Sequence, residues 1–151
     1  MRIGRADFTA TAYIALTGLI LPFAANFIGG LFNGFPPEQY WVVSRYNPQI
    51  NWGGIILIIL SDCFAVGAAS ASRLILYRAG RVMRLIPTFL GYGLLALCHY
   101  NIDLGSDAQA GIALLFAPFF AALVIAAATS AVLFLNHLAV RRREKSGHAA
   151  E

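Results

Sequence analysis

The sequence predicts an all-α fold: a polytopic membrane protein, one bundle of four transmembrane helices with a short interfacial segment in the first external loop. Three observations carry this. Only 12% of the 151 residues are charged and 59% are hydrophobic, with a mean hydropathy of +0.69, whereas soluble domains carry about 25% charged residues. The apolar residues gather into four long runs, each almost free of charge. The arginines and the lysine gather in alternate gaps between those runs, the pattern that orients helices in a bilayer.

The first predicted span covers residues 8–31, FTATAYIALTGLILPFAANFIGGL, and follows a short basic lead-in. A cleaved signal peptide is the competing reading. The run is longer than the usual apolar region of about 7–15 residues, and a cut after Ala24 or Ala25 would place Pro22 or Phe23 where a small residue is required. We therefore expect a retained span, kinked at Pro22, with the freed carbonyl satisfied by neighbouring helices.

Residues 32–52 form the longest gap and hold both tryptophans together with Phe32, Phe35, Tyr40 and Tyr46. Amphipathic aromatics collect at the membrane–water boundary. Pro36-Pro37-Glu38 suits the first turn of a short helix, and Asn47-Pro48 suits its end. Tyr40, Trp41, Tyr46 and Trp52 are thus expected to anchor the bundle or to form a surface on which a partner docks.

The second span, residues 53–73, has a single charge before Arg73, that of Asp62. A helix of about 20 residues crosses the hydrocarbon core, so Asp62 falls near its middle. The third span opens at Leu85 with Pro87 in its first turn, where proline is tolerated. It is short for a bilayer unless Val82 and Met83 join it, giving a span of about residues 83–100. An acidic turn, NIDLGSDAQ, follows. The fourth span, residues 109–137, belongs to the longest uncharged run, Ala108–Val140, and must tilt or project past the membrane. The tail, residues 141–151, is basic and then small and polar, and is expected to be disordered.

Orientation follows from counting. With both termini inside, Arg2, Arg5, Arg73, Arg78, Arg81, Arg84, Arg141, Arg142, Arg143 and Lys145 are cytoplasmic and only Arg45 is outside. Ten against one places a multi-pass protein in the inner (plasma) membrane with both ends in the cytoplasm. The net charge of +4 is therefore a topology signal and calls for no nucleic-acid partner. Arg78, Arg81, Arg84, Arg141, Arg142 and Arg143 also form a rim able to hold anionic lipid headgroups, at roughly 1 kcal/mol per cation.

Packing between the spans is expected at small residues, which let backbones approach closely in lipid. The second span offers Ser61, Ala65 and Ala69, with Gly67 and Ala71 beside them. The fourth offers Ala113, Ala117 and Ala121, then Ala122, Ala126, Ala127 and Ala131, and the first offers Ala25 and Gly29.

Asp62 is the leading candidate for chemistry. In hydrocarbon a carboxyl's charged form is disfavoured, so Asp62 needs either an acceptor for its proton or a set of donors. Depth counted at about 1.5 Å per residue puts Tyr92, between Gly91 and Gly93, at its level. Tyr92 is the expected partner, with Thr17 or Tyr13 of the first span as second choice. These four residues would form either an interhelical hydrogen bond that sets register or a site for a proton or cation.

His99 is expected to cap the outer end of the third span, facing Asp103, and His137 lies near the inner end of the fourth. On opposite sides of the bilayer they cannot share a haem, and Cys98-His99 points in divergent directions for a metal. By the same depth count Cys98 stands some 8–10 Å nearer the outside than Cys63, too far for a disulfide. No Walker loop, GxSxG, HExxH or CxxC occurs. We assign no catalytic residue, metal site or cofactor.

The function expected is that of a non-enzymatic accessory or assembly subunit, packing against itself or a larger membrane complex, with the lipid bilayer and a membrane protein as partners. The alternative is a small oligomeric proton- or cation-coupled transporter or channel titrating at Asp62. A holin-like pore fits the basic tail but not four spans and a long outer loop.

Overall fold

The computed structural model of the protein describes residues 5–33, 52–101 and 110–148, with side chains described over 8–33, 56–101 and 112–142. The described residues are all helical apart from short turns. The helices are α1 (Arg5–Phe32), α2 (Trp52–Ile75), α3 (Arg81–Asn101) and α4 (Ala110–His148), and each contains a stretch long and apolar enough to cross a membrane. The aromatic segment between the first two spans, with Tyr40, Trp41 and Tyr46, lies outside the described residues, as do Asp103 and the side chain of Trp52.

Two boundaries differ from expectation. The third helix begins at Arg81, two residues before the predicted start at 83, so Pro87 lies beyond the first turn. The fourth continues to His148, so most of the supposedly disordered tail is helix. Arg, Glu and Lys are good helix formers, and a helix already nucleated in lipid extends through them at little cost.

Each helix turns one stripe inward, and the stripes interlock in layers. Ile14, Ala69, Tyr92 and Ile125, one from each helix, form the central layer. Ala65, Leu95, Ala117 and Ala121 form the layer on one side of it, and Leu76, Ala79 and Val132 close the other end. Successive helices run antiparallel. The α2–α3 pair is central, and α1 and α4 each pack on both of its members.

Ala65, Ala69 and Ala121 are fully buried, as small residues at a close helix crossing should be. The remaining small positions divide. Ala25, Gly29 and Ala117 face inward, whereas Gly67, Ala71, Ala113, Ala126, Ala127 and Ala131 are exposed. A helix has one face to give to its neighbours, and the alanines of α4 go all the way round it.

The prolines inside α1, α3 and α4 (Pro22, Pro87 and Pro118) are among the most completely buried side chains of the molecule. Each deletes one N–H, leaving the carbonyl four residues earlier without its helical donor. Burying that defect against protein keeps the freed carbonyl out of the lipid.

Candidate functional site

The inward stripe of α2 runs Ile58, Ser61, Asp62, Ala65, Ala69 and Ser72, all buried, and Leu76 continues it into the following turn. Asp62 therefore faces the bundle because it shares a face with the alanines. The stripe of α3 runs Thr88, Tyr92, Leu95 and His99, and that of α1 includes Ile14, Ala25 and Asn26. Where the three stripes converge, each presents a polar residue. Asn26, Asp62 and His99 are exposed by only 1%, 1% and 0%.

The geometry of the three is specific. His99 Nε2 stands 3.8 Å from Asp62 Oδ1, an ion pair when the imidazole is protonated and longer than a direct hydrogen bond. Asn26 Nδ2 donates to the backbone oxygen of His99 at 3.3 Å. That oxygen belongs to the last turn of α3, where carbonyls have no helical donor, so a side chain of α1 caps the end of α3. Asp62 Oδ1 makes no hydrogen bond among the described residues.

The expected pairing of Asp62 with Tyr92 is not what forms. The Tyr92 hydroxyl donates to the Ile14 carbonyl at 2.9 Å. The reason is register. Asp62 meets His99, which is seven residues and about 10 Å further along α3 than Tyr92. Tyr13 points away from the bundle at 67% exposure. Thr17 is exposed too and lines a groove beside Tyr92 rather than reaching Asp62. His99, expected at the interface facing Asp103, is instead wholly enclosed against Asp62.

The glycines beside Tyr92 behave differently from each other. Gly91 packs against Ile125 and the backbone of Ala121, with no room for a Cβ, whereas Gly93 faces open space. The α2–α3 register also brings Cys63 and Cys98 to one level, against the depth estimate, yet both are free thiols. Deeper along α2, Ser72 and Thr129 of α4 approach to 2.6 Å. The Thr129 hydroxyl is given to the Ile125 carbonyl at 2.6 Å, so Ser72 is the donor of the pair.

The predicted lipid-binding arginines are not equivalent. The Arg84 Nε donates to the Ala79 carbonyl at 2.8 Å, tying off the turn between α2 and α3. Arg78 stacks over the Tyr77 ring at 5.2 Å. Arg81, Arg141 and Arg142 are exposed, and the Arg143 side chain lies outside the described residues. His137 sits on the exposed continuation of α4, far from His99 along the chain. Among the described residues no three His, Cys, Asp or Glu side chains stand close enough to share a metal.

Chemically, a buried carboxyl beside a buried imidazole can hold or pass a proton and can bind three helices in fixed register. Asn26 is the member that sequence reasoning missed. Its signal was its position, four residues after Pro22 and next to Ala25 on the packing stripe of the first span. Comparison with protein-family models, with curated proteins and with solved structures finds no match to this chain.

Proposed function

We propose that the protein is a non-enzymatic accessory or assembly subunit of the inner membrane, with both termini in the cytoplasm, that packs against itself or a larger membrane complex. The observation that carries this is the length of α4. Its apolar stretch, Ile112–Arg142, has 31 residues and measures about 46 Å against a hydrocarbon core of roughly 30 Å. Val132 is its last buried residue, and from Leu133 to Arg142 every residue is exposed. Leu133, Phe134, Leu135 and Val140 thus leave the bundle uncovered, at the end where the arginines cluster. Apolar surface that reaches past both the bundle and a bilayer of that thickness supports contact with a second protein.

Gentle detergent extraction followed by mass measurement tests the reading. The protein should emerge with stoichiometric partners or as an oligomer, and Phe134→Glu with Leu135→Glu should release it. A lone monomer from wild-type membranes would refute it. Reporter fusions at both ends test the orientation, which rests on the ten-to-one distribution of cations.

A second reading, a proton- or cation-coupled transporter, is favoured by the enclosed Asp62–His99 pair alone, since intramembrane ionisable residues commonly mark transport pathways. Protein in liposomes should then move protons or cations, and Asp62→Asn should abolish the flux. Undiminished flux in that variant removes Asp62 from the mechanism.

A further inference from the structure

We infer that the groove between α1 and α3 is a binding site for an anionic glycerophospholipid, one acyl chain lying in the groove and the phosphate at Arg81. The groove has a volume of about 380 Å³ and is walled by Thr17 and Leu21 of α1 and by Leu85, Thr88, Phe89 and Gly93 of α3, among others. Its surface is almost entirely apolar, and it opens sideways between two membrane-spanning helices. Its natural filling is hydrocarbon.

The headgroup is specified by charge. Positions 81, 85, 88, 92 and 96 recur at helical spacing and share one face of α3. Four of them line the groove, and the fifth, Arg81, is an exposed cation one turn before Leu85. A chain seated in the groove therefore brings its phosphate to a guanidinium that matches it in charge and hydrogen-bonding geometry.

The Thr88 hydroxyl is buried in the wall, the residue only 7% exposed, and has no hydrogen-bond partner among the described residues. Helical Ser and Thr in hydrocarbon usually bond back to the carbonyl four residues earlier, as Thr129 and Ser130 do here. The Thr88 hydroxyl lies enclosed behind the apolar lining, so the groove offers an acyl chain hydrocarbon alone. This site is independent of the exposed length of α4.

Gly93 supplies the test. A Cβ built there meets nothing within 4 Å, so Gly93→Leu fills the groove without disturbing the bundle. Gly67 is equally unobstructed but lies on α2, away from the groove, and Gly67→Leu is the control. The full-length protein is reconstituted in nanodiscs of equal parts phosphatidylglycerol and phosphatidylcholine, and the lipid it retains is read by native mass spectrometry after release into detergent.

Wild type and Gly67→Leu should retain phosphatidylglycerol in preference to phosphatidylcholine. Gly93→Leu should lose the retained lipid, and Arg81→Gln should lower the preference about fivefold, as expected for one cation near a charged surface. An acyl-chain diazirine probe should label α1 and α3 around Thr17 and Phe89. Equal retention of the two lipids by wild type would overturn the inference. So would undiminished retention by a folded Gly93→Leu, or labelling at the other groove, around Phe116 and Phe120, in place of this one.

Discussion

Tyr92 reaches the carbonyl of Ile14 by passing directly over Gly18. A Cβ on Gly18 would overlap the Tyr92 hydroxyl and crowd Val66, so the hydrogen bond between α3 and α1 exists only because residue 18 has no side chain. The same contact seats the central layer, since Ile14 and Tyr92 are two of its four members.

Gly18→Ala should therefore destabilise the protein by about 1–3 kcal/mol, the usual cost of overpacking. Tyr92→Phe removes only the hydrogen bond and should cost about 1 kcal/mol. Thermal unfolding in detergent, followed by circular dichroism, compares them. A Gly18→Ala protein as stable as wild type would show that α1 can shift away from α3 freely.

Gly91 and Gly93 make a matched pair two residues apart. Gly91→Ala drives a methyl into Ile125 and the Ala121 carbonyl, and should cost at least 1 kcal/mol. Gly93→Ala meets nothing and should be neutral or stabilising by up to about 1 kcal/mol through helix propensity. Equal effects in the same unfolding assay would contradict the close approach of α3 to α4.

For Asp62 and His99 the informative experiment is a cycle. His99→Ala leaves a carboxyl enclosed without its neighbour and should cost about 3–5 kcal/mol, the penalty for breaking a buried pair. Replacing both by leucine should recover most of that loss. If the double variant unfolds as readily as His99→Ala, the pair is not acting as a coupled unit. A recovered fold with unchanged partner association would assign Asp62 and His99 to helix register alone.

Ser72 and Thr129 should couple weakly. Hydrogen bonds between membrane helices average about 0.6 kcal/mol in double-mutant cycles. The Ser72→Ala, Thr129→Ala cycle should return a value of that order. Coupling above about 2 kcal/mol would mean that the contact carries more than one hydrogen bond.

Much of this was legible in the sequence and some of it was not. Four spans, the inward alanines at 65 and 69, and the enclosed Asp62 followed from hydropathy and spacing, because lipid constrains segment length and polarity so strictly. The partner of Asp62 did not follow. Depth counting assumes that every span enters the bilayer at one level, but Asp62 lies ten residues into α2 while His99 lies two from the end of α3. That offset moves the pairing by two turns, from Tyr92 to His99. Asn26 was overlooked because an amide carries no charge and does not interrupt an apolar run. The continuation of α4 to His148 was hidden by its composition, since a basic stretch is an equally good orientation signal whether or not it is helical.

The tie between Asn26 and His99 has a consequence for biogenesis. Asn26 bonds to a carbonyl 73 residues later, and Ile14 to a hydroxyl 78 residues later. A chain made from its N-terminus delivers α1 to the translocon before either acceptor or donor has been synthesised. Until α3 arrives, the newborn first helix waits in lipid with its amide exposed, a target for any insertase or quality-control protease that surveys unassembled segments. Chains truncated before α3 should accordingly accumulate less than the full-length protein, because nothing then reaches the Asn26 amide.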